Sequence, residues 1–178
     1  MLVDLLSERA PTLGQTRLIC VDGPSGAGKT TLAAAVERLA RAHHQSVTTI
    51  HMDDLYAGWE GLPAVGEQLD RLLLPLAEGQ PGRYRRYDWH LGGFAEQVTV
   101  PPPDVLILEG VGAGSAQHAA RIGVLVWVDA PTPVRMARGL TRDGEVFAPY
   151  WDSWARAEAV HFAIQATKQR ADVWIDLA

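Results

Sequence analysis

A single cysteine among 178 residues excludes an internal disulfide, so the folded state must rest on packing and hydrogen bonding. Cys20 lies in an apolar run and reads as a small buried hydrophobe. Long hydrophobic stretches are also missing, and none approaches the roughly 18 residues that a membrane-spanning helix requires. Basic residues are not in excess: 16 Lys and Arg face 21 Asp and Glu, and the net charge of −5 argues against a nucleic-acid-binding surface. Residues 1–10 set Asp4 and Glu8 among leucines, without a basic start leading into a long apolar segment. No signal peptide is expected there, and a cytoplasmic location is. The sequence neither repeats itself nor resumes with a second apolar-rich block after a linker, so one domain over 1–178 is expected. What remains is a globular balance, 47% hydrophobic and 21% charged, far from a disordered composition.

Against that plain background stands Gly23-Pro24-Ser25-Gly26-Ala27-Gly28-Lys29-Thr30. Its spacing is the Walker A pattern, a glycine, four residues, then Gly-Lys-Thr. The glycines open backbone conformations closed to other residues. Successive N–H groups from Gly23 through Ser25, Gly26, Ala27, Gly28, Lys29 and Thr30 to Thr31 can then turn inward around phosphates. Lys29 can bridge the outer phosphates as a point charge, and the Thr30 hydroxyl can bind Mg²⁺. The flanks agree: residues 18–21 read as a buried parallel strand, and 31–36 as a helix whose N-terminus faces the phosphates. A nucleoside triphosphate is the expected ligand.

Further strands are expected over 47–51, 105–108, 124–128 and 173–177. Helices are expected from 31 to about His44, over 65–76 with a kink or restart at Pro75, over 131–140 behind helix-starting prolines, and over 150–169. The segment 79–93, with Arg83, Arg85 and Arg86 among aromatics and glycines at its ends, reads as a loop. Five parallel strands with intervening helices make a three-layer α/β/α sandwich of the P-loop NTPase type, with ligands at the carboxyl ends of the strands.

Carboxylates occupy those ends. Asp53 and Asp54 follow the second strand, Glu109 the third and Asp129 the fourth. Such groups can hold Mg²⁺ or activate a hydroxyl, and they can equally cap helices or shape turns; before the prolines at Pro131 and Pro133 a cap is expected of Asp129. Arg135, Arg138 and Arg142 share one side of a helix, as a solvated basic face or as a lid over roughly 135–149 that brings guanidinium groups to a transferring phosphoryl group. The arginines of the 79–93 segment either clamp an acceptor or keep the segment soluble.

Taken together these residues resemble the uridine kinase group of P-loop kinases, which also takes in phosphoribulokinase, pantothenate kinase and nicotinamide riboside kinase. The resemblance spans most of the chain. Asp22 through Thr30 resembles the family's phosphate loop, and Asp53-Asp54-Leu55-Tyr56 its Asp-Ser-Phe-Tyr segment, whose first Asp is the general base. Tyr87-Asp88-Trp89 is similar to its nucleoside-binding loop, Leu108-Glu109-Gly110-Val111 to its Glu-Gly-Ile strand end, and Ala171-Asp172-Val173 to its last strand. Arg135-Met136-Ala137-Arg138 with Arg142-Asp143 resembles its lid helix. Two features depart: His90-Leu91-Gly92-Gly93 follows Tyr87-Asp88-Trp89 where the family often has Ser-Arg, and the chain is short.

The resemblance implies an ATP-dependent, Mg²⁺-dependent kinase that phosphorylates a hydroxyl of a small molecule, a nucleoside or similar polar metabolite, with no nucleic acid or membrane partner. Lys29, Asp53, Arg138 and Arg142 would carry catalysis, with Asp53 as base. Thr30, Asp53 and Glu109 would hold the metal, and Asp53, Tyr56, Tyr87, Asp88 and Trp89 the acceptor. A nucleoside monophosphate or a sugar acid remains open as acceptor, as does a regulatory ATP-binding protein with slow hydrolysis. No Asn-Lys-x-Asp motif for reading guanine is present.

Overall fold

The computed structural model describes residues 2–44, 46–144 and 148–177; the side chains of Val3, Arg142, Asp143 and Ala148 lie outside that description. Its centre is β1 (Arg17–Asp22), in which every residue from Leu18 to Asp22 is buried. A strand covered on both faces must be apolar, and this one is from Leu18 to Val21. β1 pairs in parallel with β5 (Val105–Glu109) on one side and β6 (Val124–Asp129) on the other. Outside these lie β2 (Val47–His51) and β7 (Val173–Asp176), giving the order β2-β5-β1-β6-β7, all parallel.

Alternate side chains of these strands point to two separate cores. Ile19, Val21, Ile107 and Val126 face α1 (Leu2–Glu8) and α2 (Lys29–Ala40), packing on Leu6, Ala33 and Val36. Leu18, Cys20, Leu106, Leu108 and Leu125 face α3 (Gly66–Ala77) and α5 (Trp151–Gln165), packing with Leu69, Leu72, Leu76 and Trp154. The three-layer α/β/α sandwich is therefore the architecture, and Cys20 is the buried hydrophobe expected of it.

Three readings need correction. The segment 79–93 is not a loop: β3 (Gly82–Asp88) and β4 (Gly93–Val100) form an antiparallel hairpin, bulged between Arg85 and Tyr87. Exposed Arg83 and Arg85 alternate with buried Tyr84, a two-residue period that outweighs the flanking glycines because one face packs on α3. The Gln68 side chain of α3 clasps this edge, bonding both the N–H and the carbonyl of Arg85. Pro75 does not restart α3, which runs on as one helix to Ala77 with the proline in its last turn. The last helix does break, at Ala166, whose left-handed backbone (φ 48°) separates α5 from α6 (Thr167–Arg170).

Candidate active site

The strand ends nearest β1 are aligned, with Val21 opposite Glu109 and Glu109 opposite His51. From the end of β1 the chain turns through the glycine-rich loop into α2, whose N-cap, Gly28, carries no side-chain cap. The first turn of that helix is thus open toward the loop, as an anion-binding terminus requires. Glycine is obligatory at two points. A Cβ on Gly23 (φ 143°) would fall 2.0 Å from the Val128 carbonyl oxygen, and one on Gly26 (φ 76°) 2.2 Å from that of Arg135. Ala27 is packed into the core, and Lys29 is 8% exposed, its ammonium 2.9 Å from the Pro24 carbonyl it donates to. Thr31 is exposed on the first turn of α2.

Asp22, immediately before the loop, is fully buried, and its carboxylate receives the N–H groups of Gly23 at 2.7 Å, Gly112 at 3.0 Å and Gly114 at 2.8 Å. Burial pushes its pKa up to about 6, against those N–H groups and the Lys29 charge, which favour the ionised form. It ties the phosphate loop to the glycine-rich turn after β5. An acid ending an apolar strand was the visible signal for this role.

Beside the loop, the Thr30 hydroxyl donates to Glu109 Oε1 at 3.1 Å, and His51 Nδ1 meets the same oxygen at 2.5 Å. That carboxylate holds the His51 pKa above its ordinary value, burial opposing. A hydroxyl and a carboxylate side by side are hard oxygen donors, of the kind Mg²⁺ takes. No group of three or more His, Cys, Asp or Glu among the described residues could hold a metal alone, which suits an ion bound largely through phosphate oxygens. Thr30 and Glu109 therefore fit Mg²⁺.

Asp53 and Asp54 sit in a 3-10 turn, Met52–Asp54, just past β2. Asp53 is exposed, while Asp54 is half-buried, and burial raises its pKa above the usual carboxylate range. The hairpin reaches this turn: the Trp89 indole N–H donates 2.9 Å to the Asp53 carbonyl. Trp89 meets Trp59 and Tyr87 edge-on, and Trp59 stacks flat on Tyr150, 4.8 Å apart at 8°. Three sequence-distant elements thus make one aromatic wall beside Asp53. Trp59 and Tyr150 were not singled out from sequence, where lone aromatics in loops carry no signal.

Not every candidate reaches this face. Tyr56 is 1% exposed and donates to the Val111 carbonyl at 2.5 Å, so it belongs to the core behind the wall. The Asp88 carboxylate accepts from the His90 and Leu91 N–H groups and shapes the hairpin turn. Arg86 pairs with Glu96 at 2.6 Å, within the hairpin.

On α4 (Thr132–Asp143), Arg135 donates to the Ser25 carbonyl at 3.2 Å, whereas Arg138 donates to the Leu177 carbonyl at 3.0 Å. Arg142 lies in the last turn of α4, with its side chain outside the description, as are residues 145–147 of the expected lid. Asp129 caps nothing: α4 starts from Pro131, and the Asp129 carboxylate accepts from the Ala130 N–H and pairs with Lys168 at 3.4 Å. Glu158 on α5, also missed, reaches Ser25 of the loop.

The family model for phosphoribulokinase and uridine kinase matches residues 66–177, from α3 through β7. A uridine kinase of Staphylococcus epidermidis is 29% identical over 149 residues, covering 74% of this chain and 70% of that protein. Among solved structures, a possible uridine kinase from Bacillus stearothermophilus superposes with a TM-score of 0.65 at 24% identity, over 98% of this chain and 97% of that one. The D-glycerate 3-kinase of Cryptococcus neoformans superposes with a TM-score of 0.53 at 16% identity, over 90% and 82%. These last two likenesses concern the fold. No described helix is long and apolar enough to cross a membrane. With the family match extending over more than half its length, the chain belongs to the phosphoribulokinase/uridine kinase family and is a small-molecule phosphotransferase acting on a hydroxyl group.

Proposed function

We propose that the protein transfers the γ-phosphate of ATP to a hydroxyl of a nucleoside or similar polar metabolite. The observation that carries this reading is the Trp89 hydrogen bond to the Asp53 backbone. It joins the aromatic wall to the turn bearing the proposed base, next to the Thr30–Glu109 pair. In the proposed step, Asp53 takes the proton of the acceptor hydroxyl, whose oxygen attacks the γ-phosphorus as the bond to the β–γ bridging oxygen breaks and ADP departs. Gly23 to Thr31 would cradle the phosphates, and Lys29 would offset the charge that develops on them. Thr30 and Glu109 would hold Mg²⁺, and Asp53, two residues after the His51 that meets Glu109, would join them; when bound, the ion neutralises phosphate charge. Arg135, already at the loop, is a better placed guanidinium than Arg138, which would need to leave the Leu177 carbonyl before reaching a phosphoryl group.

The wall of Trp59, Trp89 and Tyr150 supports a ring-bearing acceptor over an open-chain sugar acid, since flat rings offer stacking surface and few hydrogen bonds. The relative named a uridine kinase makes uridine the first acceptor to try. The test is a thermal-shift panel of nucleosides, nucleoside monophosphates and sugar acids, each with a non-hydrolysable ATP analogue. A ligand at about 100 times its Kd should add roughly 2.7 kcal/mol of stability. Any hit is then carried to product detection with ATP. Stabilisation by the analogue with no phosphorylated product from any acceptor would reject the kinase reading in favour of a regulatory nucleotide-binding protein.

A further inference from the structure

The tip of the phosphate loop is gripped from outside the loop by one buried side chain on α5. The Ser25 N–H donates to Glu158 Oε1 at 2.9 Å, and the Ser25 hydroxyl donates to the same oxygen. The Trp154 indole N–H adds a third donor to that oxygen at 2.7 Å, and stands 2.9 Å from Ser25 Oγ. Glu158 is 3% exposed and Trp154 5%. A carboxylate so far from water is costly unless its acceptor sites are filled, and here all three donors are neutral. An acceptor-only group suits the position because every neighbour at Oε1 arrives as a donor. On its other side Ser25 is held by Arg135 through its carbonyl. The helix before the 145–147 segment and the helix after it therefore each send a side chain to this one loop residue.

Trp154 also faces the other half of the site. Its ring meets Tyr56 edge-on at 5.1 Å and Trp59 at 5.9 Å, and Trp59 belongs to the aromatic wall. Glu158 and Trp154 both meet the loop at Ser25, whose N–H is given to Glu158 rather than left open to a phosphate, so any part they have in turnover passes through Ser25.

We propose that Glu158, assisted by Trp154, is a positioning residue that sets the conformation of the phosphate loop from α5 and thereby its affinity for nucleotide. The proposal rests on the ATP-binding reading, but its geometry can be tested apart from it. Hydrogen–deuterium exchange over residues 22–30 and calorimetric titration with a non-hydrolysable ATP analogue are measured for wild type, Glu158→Ala, Glu158→Gln and Trp154→Phe, beside the melting temperature of each.

In Glu158→Ala the loop amides should exchange faster, and the analogue Kd should rise about tenfold, the loss expected for one or two hydrogen bonds. Glu158→Gln keeps an accepting oxygen and should hold the Kd within about threefold of wild type. Trp154→Phe, which keeps the ring contacts and deletes one donor, should fall between and keeps the test alive if Glu158→Ala does not fold. A lower melting temperature with an unchanged Kd in both Glu158→Ala and Trp154→Phe would make the contact a structural brace and overturn the proposal. So would equal losses in Glu158→Ala and Glu158→Gln. If wild type binds no analogue, the ATP reading fails and the claim about affinity falls with it. The claim about loop conformation then stands or falls on exchange alone, where unchanged loop protection in Glu158→Ala overturns it.

Discussion

The phosphate loop and the hairpin stand at the same edge of the sheet but are held in opposite ways. The loop is fastened by groups with little or no access to water: Asp22 below it, Glu158 above its tip, and main-chain contacts too close for any side chain at Gly23 and Gly26. The hairpin is packed on α3 at its base by buried Tyr84 and Gln68, but toward its tip it is fastened by groups that water reaches. Its Arg86–Glu96 pair leaves the Glu96 side chain 58% exposed, and exposed pairs of this kind contribute little. Its bulge and its Gly92-Gly93 turn allow local adjustment, and Trp89 at its tip remains 38% exposed. Triphosphates present the same groups to every kinase, so a rigid cradle suits them. An acceptor wall has to discriminate among hydroxyl compounds, and an adaptable hairpin anchored at one indole suits that task.

If the division holds, substitutions on the two sides should separate chemistry from nucleotide binding. The largest effect is expected on the acceptor side. Asp53→Asn keeps the shape of the turn but cannot take the hydroxyl proton, so single-turnover transfer should fall by roughly 10²–10⁴-fold with the affinity for ATP little changed. Asp54→Asn should be milder: its half-buried carboxyl faces the charges of Arg86 and Glu96 of the hairpin. Should Asp54→Asn prove the inactive enzyme and Asp53→Asn the mild one, the base has been placed one residue too early.

The next effect belongs to the loop. Lys29→Ala removes charge stabilisation that grows in the transition state, and kcat should fall by at least about 10²-fold. The ammonium donates to the Pro24 carbonyl of its own loop, so circular dichroism and the melting temperature should stay close to wild type. Turnover like that of wild type would remove the phosphate-cradle reading altogether.

The same division explains which parts of the molecule could be read in advance. The loop was legible because its function restricts residue types locally: the close approaches at Gly23 and Gly26 and the short contact of Lys29 need those residues at that spacing. The three central strands were legible as short apolar runs, since covering both faces of a parallel sheet leaves no room for polar alternation, and the outer strands β2 and β7 as short runs rich in β-branched residues. The hairpin was missed because its alternation is carried by Arg and Tyr rather than by aliphatic residues, and its second strand, Gly93–Val100, keeps no apolar–polar alternation over its first half. Tyr56 was placed at the acceptor from its neighbours in the chain, although a residue three past an exposed acid can turn inward once the backbone enters a 3-10 turn. Glu158 left only a faint trace, an acid four residues from Trp154 and seven from Trp151 on the buried side of one helix. Its partner Ser25 is far away in sequence, and no local pattern announces such a contact.

The smallest effect probes the loop side alone, through pH. Asp22 has a folded pKa of about 6 because burial outweighs its three N–H donors, whereas in the unfolded chain it returns to its ordinary value of 3.8. Between those values the folded protein binds more protons than the unfolded one. This acid therefore adds stability at low pH that is lost as pH rises through the folded pKa. Asp22→Asn cannot titrate. It also turns an amide donor toward an N–H, so it should be less stable than wild type throughout. The gap between the two proteins should be widest below the unfolded pKa, and between pH 5 and pH 7 it should narrow by about 1 kcal/mol. Urea unfolding of both proteins at several pH values measures that difference directly, and other titrating groups cancel in the comparison. A gap that stays constant over this range would mean that the loop amides keep Asp22 ionised throughout. The cradle would then rest on a fixed charge rather than on one balanced against its own burial.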